Sequence, residues 1–194
     1  MSDQSRRELL RNVALSVVAG ALPLEAQHVH AMAAQEKAAG PYKPKAFTDH
    51  EWKTLIRLAD LIIPGDDHSP GAVEAGAPAF IDLLASQNPE LLAIYTGGIA
   101  WLDHHLQAHH HTDFVSAAPE IQTGILDIIA YRKNESPETG PGIRFFDWAR
   151  KMVVDAYYTS PIGIKELGYM GNGAVAKFEV PQEAIDYALK RSPA

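Results

Sequence analysis

Thr48-Asp49-His50-Glu51-Trp52-Lys53-Thr54-Leu55-Ile56-Arg57-Leu58-Ala59-Asp60-Leu61-Ile62-Ile63-Pro64 opens the folded part of this 194-residue chain. Thr48 and Glu51 have the spacing of a capping box, in which each side chain satisfies the other residue's backbone N–H. Trp52, Leu55, Ile56, Ala59, Ile62 and Ile63 then recur with helical period, and Pro64 stops the run. The spacing predicts an amphipathic helix whose apolar face needs a partner.

Working outward toward the C-terminus, a turn-rich loop follows, Pro64-Gly65-Asp66-Asp67-His68-Ser69-Pro70-Gly71. A short helix over 77–85 carries Phe80, Ile81, Leu83 and Leu84. Asn88-Pro89 starts the next helix, with Asn as cap and Pro at the first position. That helix runs through Leu91, Ile94, Ile99, Leu102 and Leu106, with Gly97-Gly98 placed to kink it. Another begins near Ser116 or Pro119 and buries Ile121, Ile125, Leu126, Ile128 and Ile129. Ile143 to Tyr158 reads as an aromatic helix with Phe145, Phe146, Trp148, Met152 and Val153. The tail mixes turns at Gly163, Gly168, Gly171 and Gly173 with a last short helix near Pro181 to Leu189. The pattern holds no alternation of strands with helices and no repeat. The expected fold is all-α, a compact irregular helical bundle with a loop-rich C-terminal segment, in one domain over 47–194.

Upstream, Ser5-Arg6-Arg7-Glu8-Leu9-Leu10-Arg11 precedes an uncharged apolar run from Val13 to Leu22, broken by Pro23. A small-residue cleavage motif follows at Ala31-Met32-Ala33, or one register earlier at Val29-His30-Ala31. This is the order of a twin-arginine export signal, which carries folded proteins across the bacterial inner membrane. The run falls short of the ~20 apolar residues that span a bilayer. Residues 1–33 are read as the signal and 34–46 as a linker. Folded export serves proteins that take up a cofactor in the cytoplasm, yet no motif in the remaining chain holds one. The mismatch suggests that the signal also serves a cofactor-bearing partner.

Composition narrows the partners. The chain has net charge −7, and removing residues 1–33 takes away three basic and three acidic residues, so the charge stays at −7. An acidic surface repels nucleic acid and anionic membrane. The absence of cysteine excludes disulfides, thiolate metal sites, iron–sulfur ligation and covalent c-type haem in this chain.

Three segments invite a chemical reading. His104, His105, His109, His110 and His111 lie near the end of one predicted helix, where His105 and His109, four apart, suit a shared divalent metal. The Glu beside the first His of a metalloprotease helix is missing, and spacing marks no third ligand. A solvated helix end with histidines at the negative end of the dipole accounts for the same segment. Asp66-Asp67 lacks the alternating oxygen ligands of a calcium loop, and Asp at such a turn commonly bonds its own backbone. Gly168-Tyr169-Met170-Gly171-Asn172-Gly173 has the wrong glycine order for a dinucleotide loop. Tyr157, Tyr158 and Tyr169 suit either a contact surface or the core.

Three blocks together resemble the gluconate 2-dehydrogenase subunit 3 family: the leader around Arg6 and Arg7, the stretch from Ala59 through Gly76 to Phe80-Ile81-Asp82, and Tyr157-Tyr158-Thr159-Ser160-Pro161 with Gly168-Tyr169. The resemblance implies a non-catalytic small subunit with no cofactor of its own. It implies as partner a large FAD-dependent dehydrogenase subunit of the glucose-methanol-choline type, which oxidises a sugar or polyol, with a c-type cytochrome as electron acceptor. It further implies that the small subunit carries the large one through the twin-arginine machinery to the periplasm, where the complex associates with the membrane. Pro64, Asp66, Asp67, Pro70, Gly71, Glu74 and Gly76 carry the family signature and are candidate contacts to the partner, as are Tyr157, Tyr158 and Tyr169. The rival reading is an autonomous exported metal-binding protein or small metalloenzyme built on His104 to His111.

Overall fold

A computed structural model describes residues 24–38, 40–169 and 180–191. Arg6, Arg7 and the apolar run of the leader lie outside the described residues, as do Gly171 and Gly173. Among the described residues there are eight α-helices and no strand, which is the all-α fold expected. They are α1 (Leu24–Ala38), α2 (Asp49–Ile62), α3 (Ala77–Gln87), α4 (Pro89–His110), α5 (Pro119–Ile129), α6 (Gly140–Tyr158), α7 (Pro161–Glu166) and α8 (Gln182–Arg191), with a 3-10 turn at Arg132–Asn134.

The capping box forms. Thr48 N–H donates to the Glu51 carboxylate at 2.8 Å, and Glu51 N–H donates back to the Thr48 hydroxyl at 3.3 Å. Leu55 and Ala59 are buried as the period requires, with Thr54 and Leu58 beside them, while Trp52, Ile56, Ile62 and Ile63 are half-buried at the edge of that face. Asn88 caps α4 by accepting from the N–H groups of Glu90 and Leu91, both at 3.0 Å. α5 starts at Pro119 and buries Gln122, Ile125, Leu126 and Ile129. Ile128, expected in the core, is exposed, because α5 is covered on one side only.

α4 and α6 form the central pair, and α3 packs against both. α2 leans on α3, α4 and α6, and α1 lies along α3. Phe47, Leu55, Leu58, Ile81, Tyr95, Ile99, Leu102, Phe114, Phe145 and Val153 belong to the shared core. Each fully buried aliphatic side chain there contributes about 1.5–3 kcal/mol relative to exposure. Gly97-Gly98 does not break α4, which runs unbroken from Pro89 to His110. Gly98 instead receives the Phe145 ring of α6, which fills the place a side chain there would take.

α1 runs across the expected boundary at Ala33. It spans Ala31-Met32-Ala33 and continues through residues 34–38, which were expected in a linker. Ala, Gln, Glu and Lys are good helix formers, and a helix of these residues resembles a linker in composition. Ala33 is buried against Ala79 and Leu83 of α3, with Val29 and Met32 packed beside it. The loop that follows is tied down at Asp82. This fully buried carboxylate accepts from the Tyr42 hydroxyl at 2.7 Å and from the N–H groups of Lys45, Ala46 and Phe47 at 2.8, 2.9 and 3.3 Å. No helix among the described residues is long and apolar enough to cross a membrane.

Candidate functional site

The loop from Pro64 to Gly76 leaves α2 and returns to start α3, closing on itself in between. Asp66 N–H donates to Ser69 O, and Ala72 N–H to Ile63 O, both at 2.9 Å. Asp66 Oδ1 accepts from the N–H groups of His68 and Ser69, both at 2.8 Å, as an Asp at a turn was expected to do. Those donors hold its carboxyl below the usual carboxylate range. Gly71 sits where the loop's two arms meet. A Cβ there would lie 2.5 Å from the Gly65 nitrogen, a backbone atom that has no room to yield. Gly76, at φ 87°, begins α3 in the left-handed region that favours glycine. Pro64, Asp66, Asp67, Pro70 and Glu74 are exposed, while Gly71 and Gly76 are buried.

Tyr157 joins this loop to the C-terminal block. It is buried at the end of α6, and its hydroxyl stands 2.7 Å from Ser69 Oγ, 3.1 Å from the Pro70 carbonyl and against the Glu166 carboxylate of α7. Burial and that carboxylate push the phenol's pKa up, so it keeps its proton and remains a donor. Tyr157 is therefore an interior cross-link, its hydroxyl committed inside the fold. Its neighbour Tyr158 and the more distant Tyr169 are exposed.

A groove of about 630 Å³ opens where these segments meet α1, with Glu74 and Gly76 on one side, Pro161 and Ile162 on another, and His30 and Ala33 on a third. His30 Nε2 lies 3.0 Å from Thr159 Oγ1, and its ring lies over Phe80 at 4.7 Å. Burial lowers the His30 pKa, against the raising effects of the Ala156 carbonyl and the Asp155 charge.

The histidines sit apart from this groove, at the end of α4. His105 and His109 share one face, with ring centroids 4.4 Å apart, and Trp101 stacks on His105 from the turn before at 5.1 Å. Glu138, from the segment that enters α6, brings Oε1 to 2.8 Å from His109 Nε2 and 3.3 Å from His105 Nδ1. Desolvation first and the His109 charge second lower the His105 pKa. Hydrogen bonding from His109 lowers that of Glu138. Sequence reading found the two histidines but missed Glu138, because no spacing rule links it to them. His104, His110 and His111 are exposed and outside this cluster.

The model of the gluconate 2-dehydrogenase subunit 3 family matches residues 49–176. The chain belongs to that family. The match begins at the first residue of α2 and carries past the end of α7, so it takes in the signature loop, Tyr157 and the histidine end of α4. α1, one wall of the groove, lies outside it. No curated protein and no solved structure matches the chain. In this gluconate 2-dehydrogenase subunit 3 member, the two described blocks on which the resemblance rests are adjacent in space, held by Tyr157 at Ser69 and Pro70.

Proposed function

We propose that this chain is the non-catalytic small subunit of an FAD-dependent dehydrogenase complex acting on a sugar or polyol hydroxyl. It assembles with the large flavin-bearing subunit, stabilises it, and escorts it through twin-arginine export to the periplasm, where a c-type cytochrome takes the electrons. The observation that carries this reading is the family match across residues 49–176. The Arg6-Arg7 leader supports the export role. Exposed Tyr158 and Tyr169, and the outer face of the loop at Asp66, Asp67 and Glu74, are the contact candidates left once Tyr157 is assigned to the interior. The mechanism is linkage: binding the folded large subunit raises the population of that state before transport.

Two measurements test it. Purification from the native host should bring down a larger flavin-bearing chain near 1:1. Replacing Arg6 and Arg7 together by Lys should then strand both proteins in the cytoplasm. Export of the large subunit while this chain alone is retained would refute the escort role.

A further inference from the structure

Trp101, His105 and His109 stand at successive turns along one face of α4, and each constrains the next. Trp101 is set first. Its ring lies over Gly142 at the start of α6, where a Cβ would come within 2.2 Å of it. Its indole N–H donates to the Glu138 carbonyl at 3.1 Å, which fixes the segment that carries the Glu138 carboxylate. Thr139 braces the same segment by donating to the Asn134 carbonyl at 2.7 Å. One donor atom each from His105, His109 and Glu138 then falls within 4.8 Å of the others.

We propose that His105, His109 and Glu138 form a binding site for a divalent transition cation of the zinc class. A zinc ion bonded at ~2.0–2.2 Å to three such atoms in tetrahedral geometry sets them roughly 3.3–3.5 Å apart, so small side-chain rotations suffice. Two imidazole nitrogens and one carboxylate oxygen select zinc, cobalt, nickel or copper over calcium and magnesium, which prefer all-oxygen sites. Three protein ligands leave the remaining position to water. An ion pair between His109 and Glu138 alone leaves one feature unexplained. A second imidazole, 15% exposed and held between Trp101 and His109, turns its Nδ1 to the same carboxylate oxygen. The metal would cross-link α4 to the entry of α6, a role independent of whether the chain escorts a partner.

The test is calorimetric titration of the untagged, chelator-stripped full chain with zinc chloride alone. The expected result is saturation at one ion per chain. Glu138→Gln and His109→Ala should each weaken binding by about tenfold or more. Both side chains are more than half exposed, so neither change threatens the fold, and matching metal-free melting curves verify this. A control with His104→Ala, His110→Ala and His111→Asn should keep the parental affinity; Asn suits position 111, which has φ 55°. No saturable binding, unchanged affinity in Glu138→Gln, or loss of binding in the control each overturns the site.

Discussion

Gly98 of α4 and Phe145 of α6 are in contact at a distance that leaves no room for a side chain: a Cβ on Gly98 would lie 2.0 Å from the Phe145 ring. Phe145 is buried and meets Tyr95 edge-on at 5.9 Å, so it has nowhere to turn. Gly97, the residue before Gly98, is exposed with nothing within 4 Å of such a Cβ. Two adjacent glycines therefore respond to alanine with opposite signs. Gly98→Ala is expected to cost about 1–3 kcal/mol through overpacking. Gly97→Ala should add up to ~1 kcal/mol from helix propensity. Urea unfolding of the two variants checks both.

Asp82 takes four donors in a fully buried position, three of them backbone N–H groups of residues 45–47. Asn in its place turns an NH₂ toward those donors. Asp82→Asn should cost about 2–4 kcal/mol, and Tyr42→Phe, which removes one donor, about 1 kcal/mol. Faster tryptic cleavage after Lys45 in Asp82→Asn, measured against the parent, would report release of the loop.

Tyr95 carries its hydroxyl into the core, where it has no hydrogen-bond partner among the described residues. Burial alone drives its pKa upward. Removing an unpaired buried hydroxyl relieves a desolvation cost of about 1–3 kcal/mol. Tyr95→Phe should accordingly raise the melting temperature, by about 2–4 °C per kcal/mol gained in a chain of this size. A fall would mean that the hydroxyl is satisfied after all.

How α1 docks should depend on pH. His30 has a pKa below its ordinary 6.5 in the folded chain, burial being the main cause. As pH falls through 6.5 the undocked helix takes up the proton first, so the docked state loses stability below that pH and keeps it above. Between pH 7.5 and pH 5.5 amide exchange in α1 should slow by less than the ~100-fold fall in the base-catalysed intrinsic rate, an excess that reports weaker docking at the lower pH. In His30→Gln that excess should vanish.

What the sequence made legible was local. The capping box at Thr48 and Glu51, the Asn88-Pro89 start and the Asp66 turn each rest on residues within a few positions of one another, and each forms as read. What stayed open was decided by distant contacts. Gly97-Gly98 looks like a kink until Phe145 supplies a reason for one glycine. Tyr157 suits a contact surface and the core alike, and the loop at Ser69 and Pro70 takes its hydroxyl into the interior. Glu138 gave no signal at all, since the Trp101 bond that delivers it joins two segments unrelated by any period. α1 was hidden for another reason: its composition suits a helix and a linker alike, and the packing of Ala33 on α3 decides between them.

A cut after Ala33 falls inside α1 rather than in an extended tail. It would remove Val29 and His30 and, with them, the ring that covers Phe80, the partner of Thr159 and one side of the groove. Chains cut and uncut at that bond would differ in the shape of a folded surface, not merely in length, and a molecule touching the Thr159 face would tell the two apart.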